Sequence, residues 1–300
     1  MNAQVTEVAD PYASRVASQW EAAQRQDPVI WGDHPGPLAD DQLQRHKRDG
    51  YLSLPQLLSS AEAAALLAEA NRLAAAIDPA EDDCIIEPNG NAVRSIFRVH
   101  RTNDTFRAIC RDPRVAGIAR QILGGEVYLH QSRVNFKPPV NGKEFFWHSD
   151  FETWHVEDGM PRMRAVSISI NLTENHEFNG PLMLVQGSHR TYIRCAGETP
   201  DDHFKDSLRK QEYGVPTAEA MQLLVEQGEG IVAPKGSPGS AVVFDCNTMH
   251  GSTGNLSPYA RTNLFLVFNS VENRLEAPFG GKRPRPEFLG ERDIVPVDKL

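Results

Sequence analysis

Two short stretches of this 300-residue chain carry side chains that could share one metal ion. His148 and Asp150 sit two residues apart inside the aromatic run Phe145-Phe146-Trp147-His148-Ser149-Asp150-Phe151-Glu152-Thr153-Trp154-His155. In an extended backbone residues i and i+2 point the same way, so an imidazole and a carboxylate would face one ion together. The best third ligand, His250, lies about a hundred residues on, in Phe244-Asp245-Cys246-Asn247-Thr248-Met249-His250-Gly251-Ser252. Two histidines and one carboxylate form a facial triad, which suits non-haem Fe(II) and leaves coordination positions open for substrate and oxygen chemistry. Taken alone, His-x-Asp is weak in a chain with 10 histidines, and three ordinary polar residues are the competing reading. Context favours the site: His250 follows the strand-like Gly239-Ser-Ala-Val-Val-Phe244. His155, His176 and His189 compete less well.

Other groups would complete such a centre. Arg261 opens the apolar strand Thr262-Asn-Leu-Phe-Leu-Val-Phe268. A 2-oxoacid cosubstrate needs a cation for its far carboxylate, and arginine binds carboxylates bidentately. Ser252 adds a hydroxyl donor. Gln131, Arg133, Asn135 and Lys137 alternate along one strand, either as a solvent-facing edge or as the polar wall of a small-molecule pocket. Of the nearby aromatics (Phe97, Phe146, Trp147, Trp154, Phe244, Phe265), most are expected in the core. Trp154 is the candidate for a cation–π contact with a cationic ligand.

The elements that must position these groups are short. Residues 12–26 read as a polar helix with Val16 and Trp20 on one face. A second helix over 40–49 ends at Gly50, and Tyr51–Leu54 reads as a strand. Ser59-Ser-Ala-Glu62 is a capping box opening a helix to about Ile77. Asp78–Asp83 and the turn Glu87-Pro-Asn-Gly90 form a loop before a strand at Val93–Val99. Asp112-Pro113 starts a helix that ends at Gly124-Gly125. In Val127–Phe136, Leu129, Gln131, Arg133 and Asn135 alternate against Tyr128, His130, Ser132, Val134 and Phe136. In Ala165–Leu172, Val166, Ile168 and Ile170 oppose Ser167, Ser169 and Asn171. Further strands fall at Leu182–Val185, Ile231–Ala233, Ala241–Phe244 and Leu264–Ser270. Many short strands parted by Gly, Pro and Asn turns indicate a two-sheet sandwich, a class that includes jelly rolls. Residues 190–228 read as a polar, partly helical insertion, and 278–286 as an irregular surface tail.

Composition narrows the function. The hydrophobic fraction of 40% and charged fraction of 24% are those of a globular protein. A net charge of −9 and a pI near 5.6 argue against nucleic-acid binding. No apolar run approaches ~18 residues, so no membrane span is expected. The acidic first residues lack a secretory h-region. Four scattered cysteines without CxxC fit reduced thiols and a cytoplasmic location.

With those residues in view, the chain resembles the phytanoyl-CoA dioxygenase superfamily of Fe(II)/2-oxoglutarate oxygenases. The likeness is closest to its branch of L-ectoine hydroxylases. It rests on Phe146-Trp-His-Ser-Asp-Phe-Glu-Thr-Trp-His-Val-Glu-Asp-Gly-Met-Pro161 and Asn179-Gly-Pro-Leu-Met-Leu-Val-Gln-Gly-Ser-His189, and extends from about Asp27 to Gly290. The resemblance implies a single domain with a double-stranded β-helix (jelly-roll, cupin-like) core and flanking helices. It implies His148, Asp150 and His250 as iron ligands, and Lys137, Arg261, Ser252 and Asn135 around 2-oxoglutarate. Gln131, Trp154, Arg133, Ser169, Phe244 and Phe265 would surround substrate. It further implies conversion of L-ectoine to 5-hydroxyectoine with O2 consumed and succinate and CO2 released, in a homodimer making a compatible solute under osmotic or heat stress. Asp150 fills a position that related halogenases leave to a small residue, which favours hydroxylation. A related oxygenase acting on another small polar substrate, and a non-catalytic metal-binding sensor, remain as alternatives.

Overall fold

The computed structural model describes residues 10–78, 80–87, 92–207 and 213–300. Its strands are β1 (Glu21–Gln24), β2 (Tyr51–Leu54), β3 (Cys84–Ile86), β4 (Val93–Phe97), β5 (Val127–Lys137), β6 (Phe145–His148), β7 (Ala165–Asn171), β8 (Leu182–Val185), β9 (Thr191–Arg194), β10 (Ile231–Val232), β11 (Ala241–Asp245), β12 (His250–Ser252) and β13 (Arg261–Ser270). They form a seven-stranded sheet, β2-β11-β7-β13-β5-β4-β3, a four-stranded sheet, β10-β8-β12-β6, and the separate pair β1-β9. The fold is mainly β with flanking helices.

Period-two alternation divides the large sheet into two faces. Val166, Ile168 and Ile170 of β7 join Leu264, Leu266 and Val134 in a core shared with the helices. Those helices are α1 (Asp40–Asp49), α2 (Ser60–Ala76), α3 (Val99–Thr102), α4 (Asp104–Arg111) and α5 (Pro113–Leu123). The opposite face packs Phe244, Phe265 and Val267 against Leu184 of the small sheet and against Phe151 and Trp154. Polar side chains spaced along that second face create the site.

Local rules explain the helices. Ser59 Oγ accepts from the Glu62 backbone N–H while the Glu62 carboxylate accepts from the Ser59 N–H. Asp112 caps α5 with Pro113 at its first position, and Gly124 closes it at φ +70°. α4 was not anticipated; Asn103 caps it by accepting from the Thr105 and Phe106 N–H groups. The three-residue β3 was also missed. The turn expected at 87–90 falls, apart from Glu87, outside the described residues.

Three expectations are corrected. Residues 12–26 are not a helix: they run through bends into β1, which pairs antiparallel with β9. Val16 is exposed while Trp20 packs half-buried against the cluster of Val185, Ile193 and Leu224, so the two share no buried face. Pairing with a distant strand overrides local propensity. Leu129 does not share the Gln131 face, because the β5–β13 register skips His130, pairing Gln131 with Val267 and Leu129 with Phe268. That bulge turns Leu129 into the helix-side core. The tail 278–286 is irregular but not wholly superficial, since the Arg285 side chain is largely covered, 2.6 Å from the buried Asp158. The four cysteines are buried and free. Among the described residues no helix is long and apolar enough to cross a membrane.

Candidate active site

Antiparallel pairing of β6 with β12 sets His148 opposite His250, with ring centroids 4.2 Å apart. β6 ends at His148, and Asp150 opens the short helix α6 (Asp150–Thr153). The extended geometry expected across His-x-Asp therefore does not persist. The turn into α6 still brings Asp150 Oδ1 to 3.5 Å from His148 Nε2 and 3.8 Å from His250 Nε2. One ligand atom from each residue lies within 4.8 Å of the others. His148 Nδ1 bonds the Phe146 carbonyl at 2.8 Å and His250 Nδ1 the Thr248 carbonyl at 2.9 Å. Donation by both Nδ1–H groups leaves both Nε2 lone pairs facing Asp150, the arrangement that orients histidine toward a metal.

Electrostatics support the same use. Burial lowers the His250 pKa to about 4, with His148 adding to the effect and Asp150 opposing it, so the imidazole is neutral at pH 7. Burial alone would raise the Asp150 pKa, but His250, His148 and Arg133 outweigh it and bring it to about 2. Two imidazole nitrogens and one carboxylate are a fitting donor set for a divalent iron.

A cavity of roughly 110 Å³ opens on one side of the triad, lined by His148 and His250 together with Asn135, Lys137, Ser252 and Arg261. Strand pairing puts Arg261 opposite Lys137 and Asn263 opposite Asn135. Lys137 Nζ donates to Ser252 Oγ at 2.8 Å and to the Thr253 carbonyl at 2.5 Å. Arg261 donates to the Gly180 carbonyl at 2.8 Å, and its buried Nε has no partner among the described residues. Burial lowers the Arg261 pKa to about 10. Burial, helped by Arg261 and Arg94, lowers that of Lys137 to about 6. Among the described residues neither cation has a carboxylate within ion-pairing distance. The charged Arg261 and the Lys137 amine, whose protonation an arriving carboxylate would favour, suit a small anionic chelator beside the metal triad, and 2-oxoglutarate fits that requirement.

A second cavity of roughly 50 Å³ adjoins Asp150 and His148 and is lined by Gln131, Arg133, Trp154, His203, Arg285 and Leu289 among others. Arg133 borders both cavities, its guanidinium 4.4 Å from the Phe265 ring centroid and 5.6 Å from that of Phe97. Burial lowers its pKa to about 10. Gln131 donates to the Leu289 carbonyl at 2.8 Å. Trp154 is buried, edge-on to His130 at 4.9 Å. Gln131 and Lys137 are buried and Arg133 and Asn135 half-buried, so their strand is a pocket wall and not a solvent-facing edge.

The remaining substrate candidates are distributed unequally. Ser169, which accepts from Asn263 at 2.9 Å, and Phe265 line the larger cavity. Phe244 lines neither; it packs against His250 with ring centroids 4.9 Å apart. Sequence reasoning missed His203, Arg285 and Leu289, which reach the smaller cavity from the insertion and the tail. It also missed the Glu87–Arg94 pair at 3.0 Å beside the larger one. The basic run around Arg285 was visible, but nothing in it distinguishes Arg285 from Lys282 or Arg283.

Residues 46–263 match the phytanoyl-CoA dioxygenase (PhyH) family. The chain is similar to the ectoine dioxygenase of Bordetella parapertussis, at 56% identity over 97% of this chain and 96% of that protein. It also resembles the crystal structure of EctD from S. alaskensis with 2-oxoglutarate and 5-hydroxyectoine: TM-score 0.84, 47% identity, covering 94% and 95% of the two chains. Against EctD from S. alaskensis with bound Fe, the TM-score is 0.85 at 44% identity, over 96% and 97%.

Proposed function

This chain belongs to the phytanoyl-CoA dioxygenase family, and from that premise we propose that it hydroxylates L-ectoine to 5-hydroxyectoine, consuming O2 and 2-oxoglutarate and releasing succinate and CO2. Its two-sheet frame is read as a double-stranded β-helix forming one catalytic domain. The observation that carries the reading is the buried pair of basic side chains, Lys137 and Arg261, which among the described residues lack a carboxylate partner beside the His148–Asp150–His250 set. A sensor that only bound metal would have no use for them. The similarity to ectoine dioxygenases narrows the substrate.

His148, Asp150 and His250 would hold Fe(II), which with O2 and 2-oxoglutarate supplies the oxidising chemistry. The chain supplies binding, orientation and exclusion of water. Arg261 and Lys137 take the far carboxylate of 2-oxoglutarate, with Ser252 and Asn135 beside them. Ectoine joins a carboxylate to a cationic amidine on a small ring. Gln131 and Arg133 hold its carboxylate end, Trp154 steadies the cationic ring, and Ser169 and Phe265 close the side nearer the cosubstrate. Phe244 acts from behind His250, fixing its ring. The free cysteines favour a reducing cytoplasm. The working unit is read as a homodimer, its product a compatible solute for osmotic or heat stress.

The test is anaerobic reconstitution with Fe(II) and 2-oxoglutarate, then O2 with L-ectoine, following succinate and product together. Equal amounts of succinate and 5-hydroxyectoine are expected. Succinate without hydroxyectoine keeps the oxygenase and discards the substrate. Neither product, with metal bound, moves the weight to the sensor. Sedimentation equilibrium tests the dimer.

A further inference from the structure

The N-terminal segment that replaces the expected helix is stitched to the aromatic signature stretch. Asp10 meets His155 at 2.9 Å, Tyr12 packs edge-on to Phe151 at 5.1 Å, and Ser14 Oγ donates to Glu152 at 2.6 Å. Asp27 accepts from the Met163 N–H at 2.9 Å. Arg15 is the centre of this seam. Its backbone sits at φ +59°, a left-handed conformation that a residue other than glycine keeps only where its surroundings hold it there. Its N–H donates to the Cys195 carbonyl at 2.8 Å.

The buried Arg15 guanidinium joins three parts of the chain. It grips Glu152 bidentately at 2.9 and 2.6 Å and Glu157 at 2.6 Å, and donates to Thr199 Oγ1 at 3.0 Å. Glu152 and Glu157 are five residues apart. Such a pair diverges on an α-helix, but Trp154–Asp158 forms a π turn, whose i→i+5 repeat brings them to one side. The same Glu157 oxygen accepts from His203 Nε2 at 2.9 Å. The next residue, Asp158, takes Arg285 at 2.8 and 2.6 Å. Trp154, His203 and Arg285 all line the smaller cavity, whereas Arg15 lines neither of the two. A Cβ at Gly214 would stand 2.4 Å from Glu152 Oε2 and 2.5 Å from Arg15 Nη2, so the insertion packs closely over the pair.

We propose that Arg15 is a positioning residue for the substrate side of the site: it clamps the π turn to the insertion and so holds Trp154, His203 and Arg285 in place around substrate. The cosubstrate candidates of the larger cavity, Asn135, Lys137, Ser252 and Arg261, sit on β5, β12 and β13, to which Arg15 makes no hydrogen bond or ion pair among the described residues. The proposal rests on reading the smaller cavity as the ectoine side.

The test compares wild type with Arg15→Lys, which keeps the charge and loses the fork, and with Glu157→Gln. The Kd of L-ectoine is measured anaerobically on Fe(II)- and 2-oxoglutarate-loaded protein, alongside KM for both substrates and the ratio of succinate to hydroxylated product. Hydrogen exchange at Trp154–Asp158 gives a readout that needs no substrate. Arg15→Lys is expected to weaken ectoine at least tenfold, raise succinate per product, speed exchange in the π turn and leave the 2-oxoglutarate KM within twofold. The double variant should be no worse than the worse single one. Equal loss for both substrates, or unchanged exchange and ectoine affinity in a folded variant, overturns it. If Arg15→Lys does not fold, Glu157→Gln decides alone by the same split. Wild type that ignores ectoine refutes the functional reading, and exchange in the variant still judges the clamp.

Discussion

Replacing Lys137 by Met should stabilise the ligand-free protein while destroying its use of 2-oxoglutarate. Burial, with Arg261 and Arg94 nearby, takes the Lys137 pKa from its ordinary 10.5 to about 6. A folded pKa below the unfolded one means that the unfolded chain binds a proton that the folded chain refuses. The penalty is absent above the unfolded value, grows as pH falls, and is complete once the folded value is passed. At pH 7 the interval from 10.5, at ~1.36 kcal/mol per pH unit, gives about 5 kcal/mol. Methionine removes that cost but leaves Ser252 Oγ and the Thr253 carbonyl without their donor, a loss of about 1–3 kcal/mol. The balance is a gain of about 2–4 kcal/mol, enough to raise the melting midpoint by about 3–6 °C in a chain of this size. Removing one partner of a buried ion pair with the cosubstrate carboxylate costs about 3–5 kcal/mol, so the 2-oxoglutarate KM should rise at least ~100-fold. Differential scanning calorimetry of both proteins at pH 7 and pH 10, with a 2-oxoglutarate titration, checks all of this. The gain should shrink sharply at pH 10. A lower midpoint for Lys137→Met at pH 7, a pH-independent difference, or a near-normal KM would each refute the reasoning.

Other expectations concern the ligands, a buried ion pair and a helix end. His250→Ala should abolish hydroxylation and weaken metal binding with the circular dichroism spectrum unchanged; retained turnover would sink the triad assignment. Asp245 is buried 2.7 Å from Arg25, and although burial alone would raise its pKa, the Arg25 charge outweighs it and lowers it. A lowered carboxylate pKa contributes stability above the ordinary carboxylate range that disappears as pH falls through the folded value, so melting midpoints should drop steeply below about pH 4. Asp245→Asn, which strands Arg25, should cost about 3–5 kcal/mol at pH 7 and flatten that acid limb; a wild-type midpoint and slope would contradict it. Gly124→Ala places a Cβ 1.7 Å from the Trp31 carbonyl oxygen at φ +70°. It should destabilise by more than the ~1 kcal/mol of an ordinary glycine substitution, and an unchanged urea midpoint would refute the clash.

Chemistry-bearing spacing and local periodicity were legible in the sequence because they need only a few neighbouring residues. Ser59 and Glu62 announce α2, Asp112-Pro113 and Gly124 bracket α5, and the alternation in Ala165–Leu172 separates core from site face without knowledge of any partner strand. The grouping of His148 and Asp150 with His250 was legible too, though the expected geometry was not: β6 stops at His148, and the turn into α6 places Asp150. Tertiary structure alone decided the rest. Residues 12–26 carry a helical pattern, yet β1 exists because β9 offers it a hydrogen-bonding edge. Leu129 changes face because one unpaired residue shifts the register of β5 against β13. His203, Arg285 and Arg15 reach the site region from segments with no signature of their own. Local pattern reports which way a side chain points within its own element; what it meets there depends on chain closure over a hundred residues or more, which only the folded arrangement of the sheets determines.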